Sequence, residues 1–221
     1  LIGRMPVNSI SEANAAVAKI TGYEGALLQG WEKNITFVAD NVPDPAGDFV
    51  EASERMISDY IEPGYTVSRI YENNYGCPGT GCAQVKQAIL STVNITGTLL
   101  LNYAGHGAIN RWSQESIFTN NDLALLNNPS KLPVILSMTC LDGYWLHPGL
   151  IPTASHSITE ELLRAANKGA IASFSPTGLG VATGHDELWR GFYDATFRDG
   201  NWRLGEAALA AKLRLYATGG N

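Results

Sequence analysis

The chain has 221 residues, 45% of them hydrophobic, and a formal net charge of −6. That length and apolar content give one sizeable core and exclude a disordered chain. The acidic balance without a dense Lys/Arg run excludes nucleic acid and anionic membrane surfaces as partners, and no apolar run approaches the ~20 residues that cross a bilayer.

The chain opens on Leu1 without an initiator Met or a signal-peptide pattern, which reads as a piece of a longer protein. Residues 2–7 read as a short strand. Ser9 or Ser11 then caps a helix to about residue 24, with apolar positions 13, 16, 17 and 20 at helical spacing. Residues 35–39 form a buried strand ending in Asp40, followed by a Pro- and Asp-rich loop over 41–47 and a helix over 49–61 that Pro63-Gly64 stops. A strand over 66–71 leads to the loop Cys77-Pro78-Gly79-Thr80-Gly81-Cys82 and a helix over 83–92. The apolar runs 98–104 and 132–139 are separated by a polar and aromatic loop over 110–118 and a short helix over 120–126. Residues 146–152 are too rich in turn formers to be regular. A helix over 158–166 closes at Lys168-Gly169, a strand covers 170–174, and helices cover 186–197 and 204–216, with Asp186-Glu187 favouring the N-terminus of the first. Alternating strands and helices predict right-handed crossovers and an α/β fold.

The two apolar runs carry the chemistry. A parallel sheet buried on both faces requires such short runs, and its ligand crevice lies outside the carboxyl ends of the strands. That places His106, in Gly105-His106-Gly107, beside Cys140, in Thr139-Cys140-Leu141-Asp142-Gly143. A cysteine nucleophile acts as thiolate, so its free pKa of ~8.5 has to be lowered by a neighbouring positive charge, which an imidazole supplies. On residues alone, a buried small hydrophobe at Cys140 and a surface histidine in a glycine turn are equally good readings. The glycines around His106 would let a substrate backbone approach closely. Cys77 and Cys82 share one loop and leave Cys140 as the odd thiol; paired, they suit an exported protein, and reduced, the cytosol. His147, His156 and His185 lack ligand spacing, so no zinc site is expected. Gly79-Thr80-Gly81 imitates a dinucleotide fingerprint but carries Gln84 at the third glycine position.

The pairing of Asn102-Tyr103-Ala104-Gly105-His106-Gly107 with Ser137-Met138-Thr139-Cys140-Leu141-Asp142-Gly143 resembles the gingipain family of cysteine peptidases, in the caspase-like clan. Ile2-Gly3-Arg4-Met5-Pro6-Val7, Thr159-Glu160-Glu161-Leu162-Leu163 and Gly169-Ala170-Ile171-Ala172-Ser173 resemble it as well. The resemblance implies a caspase-like three-layer sandwich, a mainly parallel central sheet flanked by helices, with residues 1–221 as one catalytic domain of a larger secreted or cell-surface protein. It implies a cysteine endopeptidase in which Cys140 attacks, His106 shuttles the proton, and the N–H groups of Gly107 and Cys140 receive the oxyanion. Asp40 stands where gingipains carry a glutamate that contacts the histidine, with an Asx turn as the alternative. Asp48 falls near the pocket acid that holds Arg or Lys, with a helix N-cap as the alternative. The family's extracellular habit adds to the case for a Cys77–Cys82 disulfide. No cofactor is needed for the chemistry; the family's use of calcium leaves a structural calcium ion open, although no loop has a coordinating pattern. The partners implied are a protein or peptide substrate and other domains of the same chain. A sortase-like transpeptidase, in which an amine intercepts the acyl-enzyme, and a non-catalytic binding or scaffold domain share these motifs.

Overall fold

The structure, a computed structural model, describes residues 2–41, 43–77, 81–145 and 156–219. Among them are strands β1 (Asn34–Ala39), β2 (Thr66–Tyr71), β3 (Leu100–Ala104), β4 (Gly107–Ala108), β5 (Arg111–Trp112), β6 (Phe118–Thr119), β7 (Val134–Met138) and β8 (Ala172–Phe174). The helices are α1 (Ile10–Glu24), α2 (Phe49–Tyr60), α3 (Ala83–Ser91), α4 (Ile158–Arg164), α5 (Ala182–Tyr193) and α6 (Leu204–Ala217). Five strands form one parallel sheet in the order β2-β1-β3-β7-β8, and β4, β5 and β6 form a small antiparallel sheet beside it.

β3 and β7 are buried along their whole length, which is why their sequence is apolar without alternation. Successive residues feed opposite faces. Phe37 and Ala39 pack with α2, α5 and α6 around Trp189, Tyr193 and Ala207, whereas Val38 packs with α3 and α4 around Ile89 and Leu162. Burying each such large side chain stabilises by about 1.5–3 kcal/mol. The buried Asn102 amide inside the sheet is satisfied. Asn102 Nδ2 donates to Thr36 O at 3.0 Å, while Asn102 Oδ1 accepts from Trp189 Nε1 at 3.1 Å and Tyr193 OH at 2.9 Å, tying β3 to α5. A side chain at Gly191 would lie 2.7 Å from Ala211 Cα, so this glycine lets α5 and α6 cross closely.

Several expectations are corrected. Residues 2–7 form no strand. The 110–118 stretch is not simply a loop, since β5 and β6 lie at its two ends and pair with each other and, through β5, with β4. α5 begins at Ala182, so Asp186 and Glu187 sit in its second turn, paired with Arg190 and Arg214 rather than serving the helix N-terminus. α1 starts as expected with Ser9, whose side chain accepts from Glu12 N–H. The irregular segment expected over 146–152 lies outside the described residues. α4 ends at Arg164 with Ala165 as its C-cap, and the carbonyls there and just beyond are met by a side chain from α1: Lys19 Nζ donates to Leu162 O, Leu163 O, Ala165 O and Lys168 O at 3.0–3.2 Å.

Candidate active site

The sheet ladder continues one residue past the strands. Asp40 N–H donates to Ala104 O at 3.0 Å and Gly105 N–H to Met138 O at 3.3 Å, which lines up the turns after β1, β3 and β7 along one edge. Gly105 stands at φ +157, and a side chain there would overlap Asp40 and lie 2.6 Å from Tyr103 OH. Gly107 is under a similar demand: a Cβ would overlap Thr139 Oγ1 and come within 3.0 Å of Cys140 O. The two glycines therefore let the His106 turn close against the backbone that carries Cys140.

The main chain of His106 is fixed on both sides. Its N–H donates to Asp40 Oδ2 at 2.7 Å, and its carbonyl accepts from Ser113 N–H at 2.9 Å and from Tyr103 OH. Its ring is held separately. Nε2 lies 2.5 Å from Asp44 Oδ2, and Phe49 meets the imidazole edge-on at 5.5 Å between centroids. The His106 side chain keeps 39% of its surface exposed, so a substrate can reach it. The hydrogen bond from His106, aided by Ala46 N–H, holds the Asp44 carboxyl below its usual range.

Asp40, expected beside the imidazole, thus contacts the backbone of the same residue, and the ring's carboxylate is Asp44. An aspartate at a strand end reaches the adjacent backbone rung, whereas the turn closed between Asp44 and Gly47 brings its acid over the ring. Burial pushes the Asp40 carboxyl up, opposed by the N–H groups of His106 and Asn41. Asp40 Oδ1 also accepts from Asn41 N–H at 2.8 Å.

Cys140 is a free, partly exposed thiol whose Sγ lies 3.7 Å from Gly180 O. Its turn is anchored by backbone. Leu141 N–H donates to Gly178 O at 3.1 Å and Gly143 N–H to Pro176 O at 3.0 Å, and Leu141 adopts φ +63. Below it Asp142, which sequence reasoning passed over, is fully buried, with Oδ2 accepting from Trp112 Nε1 at 3.2 Å. Its carbonyl accepts from Thr159 N–H and Oγ1 at 3.1 and 2.8 Å. Burial pushes the Asp142 carboxyl up to about 7, opposed by Ser137 and Trp112.

Asp48 caps α2, its Oδ1 accepting from Glu51 N–H at 2.8 Å. It also lines a cavity of about 300 Å³ with Phe49, Arg55, Ala104, Met138 and Asp186. Asp186 Oδ1 is buried there without a hydrogen-bond partner, 4.0 Å from Arg55 Nη2. Cys77 and Cys82 are joined in a disulfide with Cα atoms 5.0 Å apart. Asp40, Glu72 and Glu115 bring carboxylate oxygens together in a group able to hold a metal ion.

Comparison with sequence families matches residues 1–221 to peptidase family C25. Comparison with curated protein sequences returns no match. Among solved structures, the chain is similar to the Arg-specific cysteine proteinase gingipain R (RgpB), with a TM-score of 0.79 at 20% identity over 98% of this chain and 50% of that one. It is likewise similar to the complex of Porphyromonas gingivalis RgpB pro- and mature domains (TM-score 0.78, 19% identity, 97% and 51% covered). A third structure, described as a protease, gives a TM-score of 0.75 at 17% identity, with 96% and 48% covered. The fold is therefore that of gingipain, and the chain spans about half the length of these structures.

Proposed function

The chain belongs to peptidase family C25, and on that premise we propose that it is a cysteine endopeptidase with Cys140 as nucleophile and His106 as acid and base. His106 takes the Cys140 proton, the thiolate attacks the peptide carbonyl, and the N–H groups of Gly107 and Cys140 stabilise the oxyanion. Collapse expels the amine, protonated by His106, and leaves an acyl-enzyme. Water, deprotonated by His106, cleaves the thioester and returns the thiol. The observation that carries this reading is the fit of Gly107 against Thr139 and Cys140 O, which brings the histidine turn onto the cysteine turn. Asp44 acts on the imidazole as its orienting carboxylate, and Asp40 positions it through the main chain.

Preference for Arg or Lys before the scissile bond is supported by two acids in the lining of the 300 Å³ cavity, Asp186, whose Oδ1 has no hydrogen bond and lies 4.0 Å from Arg55 Nη2, and Asp48, which caps α2. Export is supported by the disulfide between Cys77 and Cys82. No described helix is long and apolar enough to cross a membrane. Partners are a polypeptide substrate and other domains of a longer chain.

The test is labelling with a peptidyl electrophile carrying Arg, followed by mapping of the modified residue. Modification at Cys140 that requires His106 is the expected result; labelling elsewhere, or equal labelling of His106→Ala, defeats the assignment. Adding an amine nucleophile in the same assay separates hydrolysis from transpeptidation, since only the latter yields a ligated product.

A further inference from the structure

The histidine and cysteine turns are each anchored to their own surroundings, yet the proposed reaction needs them in one fixed relation, because the Gly107 N–H and the Cys140 thiol must meet the same carbonyl. A buried side-chain bond joins them. β4 and β5 pair antiparallel with Gly107 opposite Trp112, and Trp112 Nε1 donates at 3.2 Å to Oδ2 of Asp142, which follows Cys140 in the same turn. Both side chains are buried, and Asp142 Oδ1 has no hydrogen-bond partner. The indole is itself held, since its ring stacks on Tyr103 at 4.6 Å between centroids and the Tyr103 hydroxyl donates to the His106 carbonyl. The opening of α4 closes a triangle. Ile158 N–H donates to Ile109 O, in the link between β4 and β5, at 2.8 Å, and Thr159 N–H donates to Asp142 O at 3.1 Å. Hairpin, cysteine turn and helix are its corners, and the bond from Trp112 to Asp142 is the side between the two turns.

On the peptidase reading, we propose that Trp112 and Asp142 are a positioning pair, whose hydrogen bond holds the Gly107 N–H in place against the Cys140 turn. Both act through the main chain, since neither side chain is exposed to a substrate. A neutral carboxyl suits the part. An isolated carboxylate at a fully buried site is costly, and burial pushes the Asp142 carboxyl up to about 7. The neutral acid also keeps a further negative charge away from a turn where a thiolate and an oxyanion have to form.

The bond itself is read without turnover, as hydrogen exchange of the Trp112 indole N–H in the isotope-labelled full chain, its resonance assigned by its loss in Trp112→Phe. Exchange should be slow in the parent, about tenfold faster in Asp142→Ala, and intermediate in Asp142→Asn, whose amide oxygen still accepts.

The consequence is read by hydrolysis of an arginyl peptide amide and by inhibition with the corresponding arginyl aldehyde. The Cys140 sulfur bonds to the aldehyde carbon, the carbonyl electron pair moves to its oxygen, and that oxygen takes the thiol proton, so the adduct mimics the tetrahedral intermediate. In Trp112→Phe, which keeps an aromatic ring against Tyr103, and in Asp142→Ala, kcat should fall about tenfold and the aldehyde should bind more weakly by a similar factor, with KM unchanged. Asp142→Asn should recover part of both losses. A merely loosened fold lowers the active fraction and leaves the inhibition constant where it was. An inhibition constant like the parent's in both Trp112→Phe and Asp142→Ala overturns the positioning role alone, and so does an indole exchange rate that Asp142→Ala leaves unchanged. A parent that neither hydrolyses the peptide nor binds the aldehyde overturns the peptidase reading, and the positioning role with it.

Discussion

After β3 the chain is held by acids, Asp40 on the His106 backbone and Asp44 on its ring, whereas after β7 it is held by amides from Leu141 and Gly143 to a neighbouring loop. The acid beneath the cysteine turn behaves oppositely to Asp44. Asp44 is drawn below the usual carboxylate range by its imidazole, while burial lifts Asp142 to about 7. The difference teaches that the His106 ring sits beside a carboxyl favoured in its charged form, whereas the cysteine turn sits on one that burial favours in its neutral form.

The harshest test removes either group of the proposed dyad. Cys140→Ala should abolish peptide hydrolysis and leave the fold intact, His106→Ala should be nearly as damaging, and the double variant no worse than the worse single one. Residual hydrolysis above a mock preparation in Cys140→Ala would break the comparison at its root. Next comes Asp40→Ala, which strands the His106 and Asn41 N–H groups and should cost about 1–3 kcal/mol in denaturant unfolding, with activity falling as the turn loosens. An unchanged midpoint would show that other bonds hold this turn.

Asp44→Ala should act on rate alone. A hydrogen bond to a charged group contributes about 1.5–3 kcal/mol, and solvent screening of this half-exposed pair puts the loss near the lower end, about tenfold in kcat/KM. The melting temperature should not move. A rate like the parent's would mean the ring needs no carboxylate.

The opposite acid gives a pH signature. The Asp142 carboxyl, raised from 3.8 to about 7, keeps its proton in the folded chain where the unfolded chain has released it, so its contribution to stability falls as pH rises across that window. Asp142→Asn should flatten the decline by at most about 1.4 kcal/mol per pH unit. Glu72, raised by burial to about 8, titrates in an overlapping range, so both chains carry Glu72→Gln in this comparison. An identical slope in the variant would contradict a buried, protonated Asp142. The smallest effect is expected of Asp48→Asn, which preserves the cap: unfolding free energy should change by less than about 0.5 kcal/mol, and any preference for basic residues should fall less than in Asp186→Asn. A larger fall in Asp48→Asn would make it the pocket acid.

The sheet and the meeting of the His106 and Cys140 turns were legible because buried parallel strands write themselves as apolar runs, and Gly105, Gly107 and Gly143 mark the turns that follow. The edge of the site was not. Asp44 sits in a proline-rich loop where no periodicity says which aspartate faces inward, and Asp40, at the end of a readable strand, was assigned the ring that Asp44 holds. β4, β5 and β6 are two residues each, too short for alternation to register. α5 is preceded by Val181, which offers no side-chain cap, so its first turn looked like loop. Asp142 carries no signal of its own in the sequence, since only the tertiary fold brings Trp112 Nε1 to it.

Lys19 carries a consequence of its own. Its ammonium, buried between α1 and α4 and pushed down to about 8, is wrapped in four carbonyls, so an amine-directed reagent cannot reach the nitrogen while α1 is seated. Every acylation of Lys19 therefore records a departure of that helix from the body of the protein. Its labelling rate, set against that of an exposed lysine such as Lys212, serves as a clock for the lifting of the first helix.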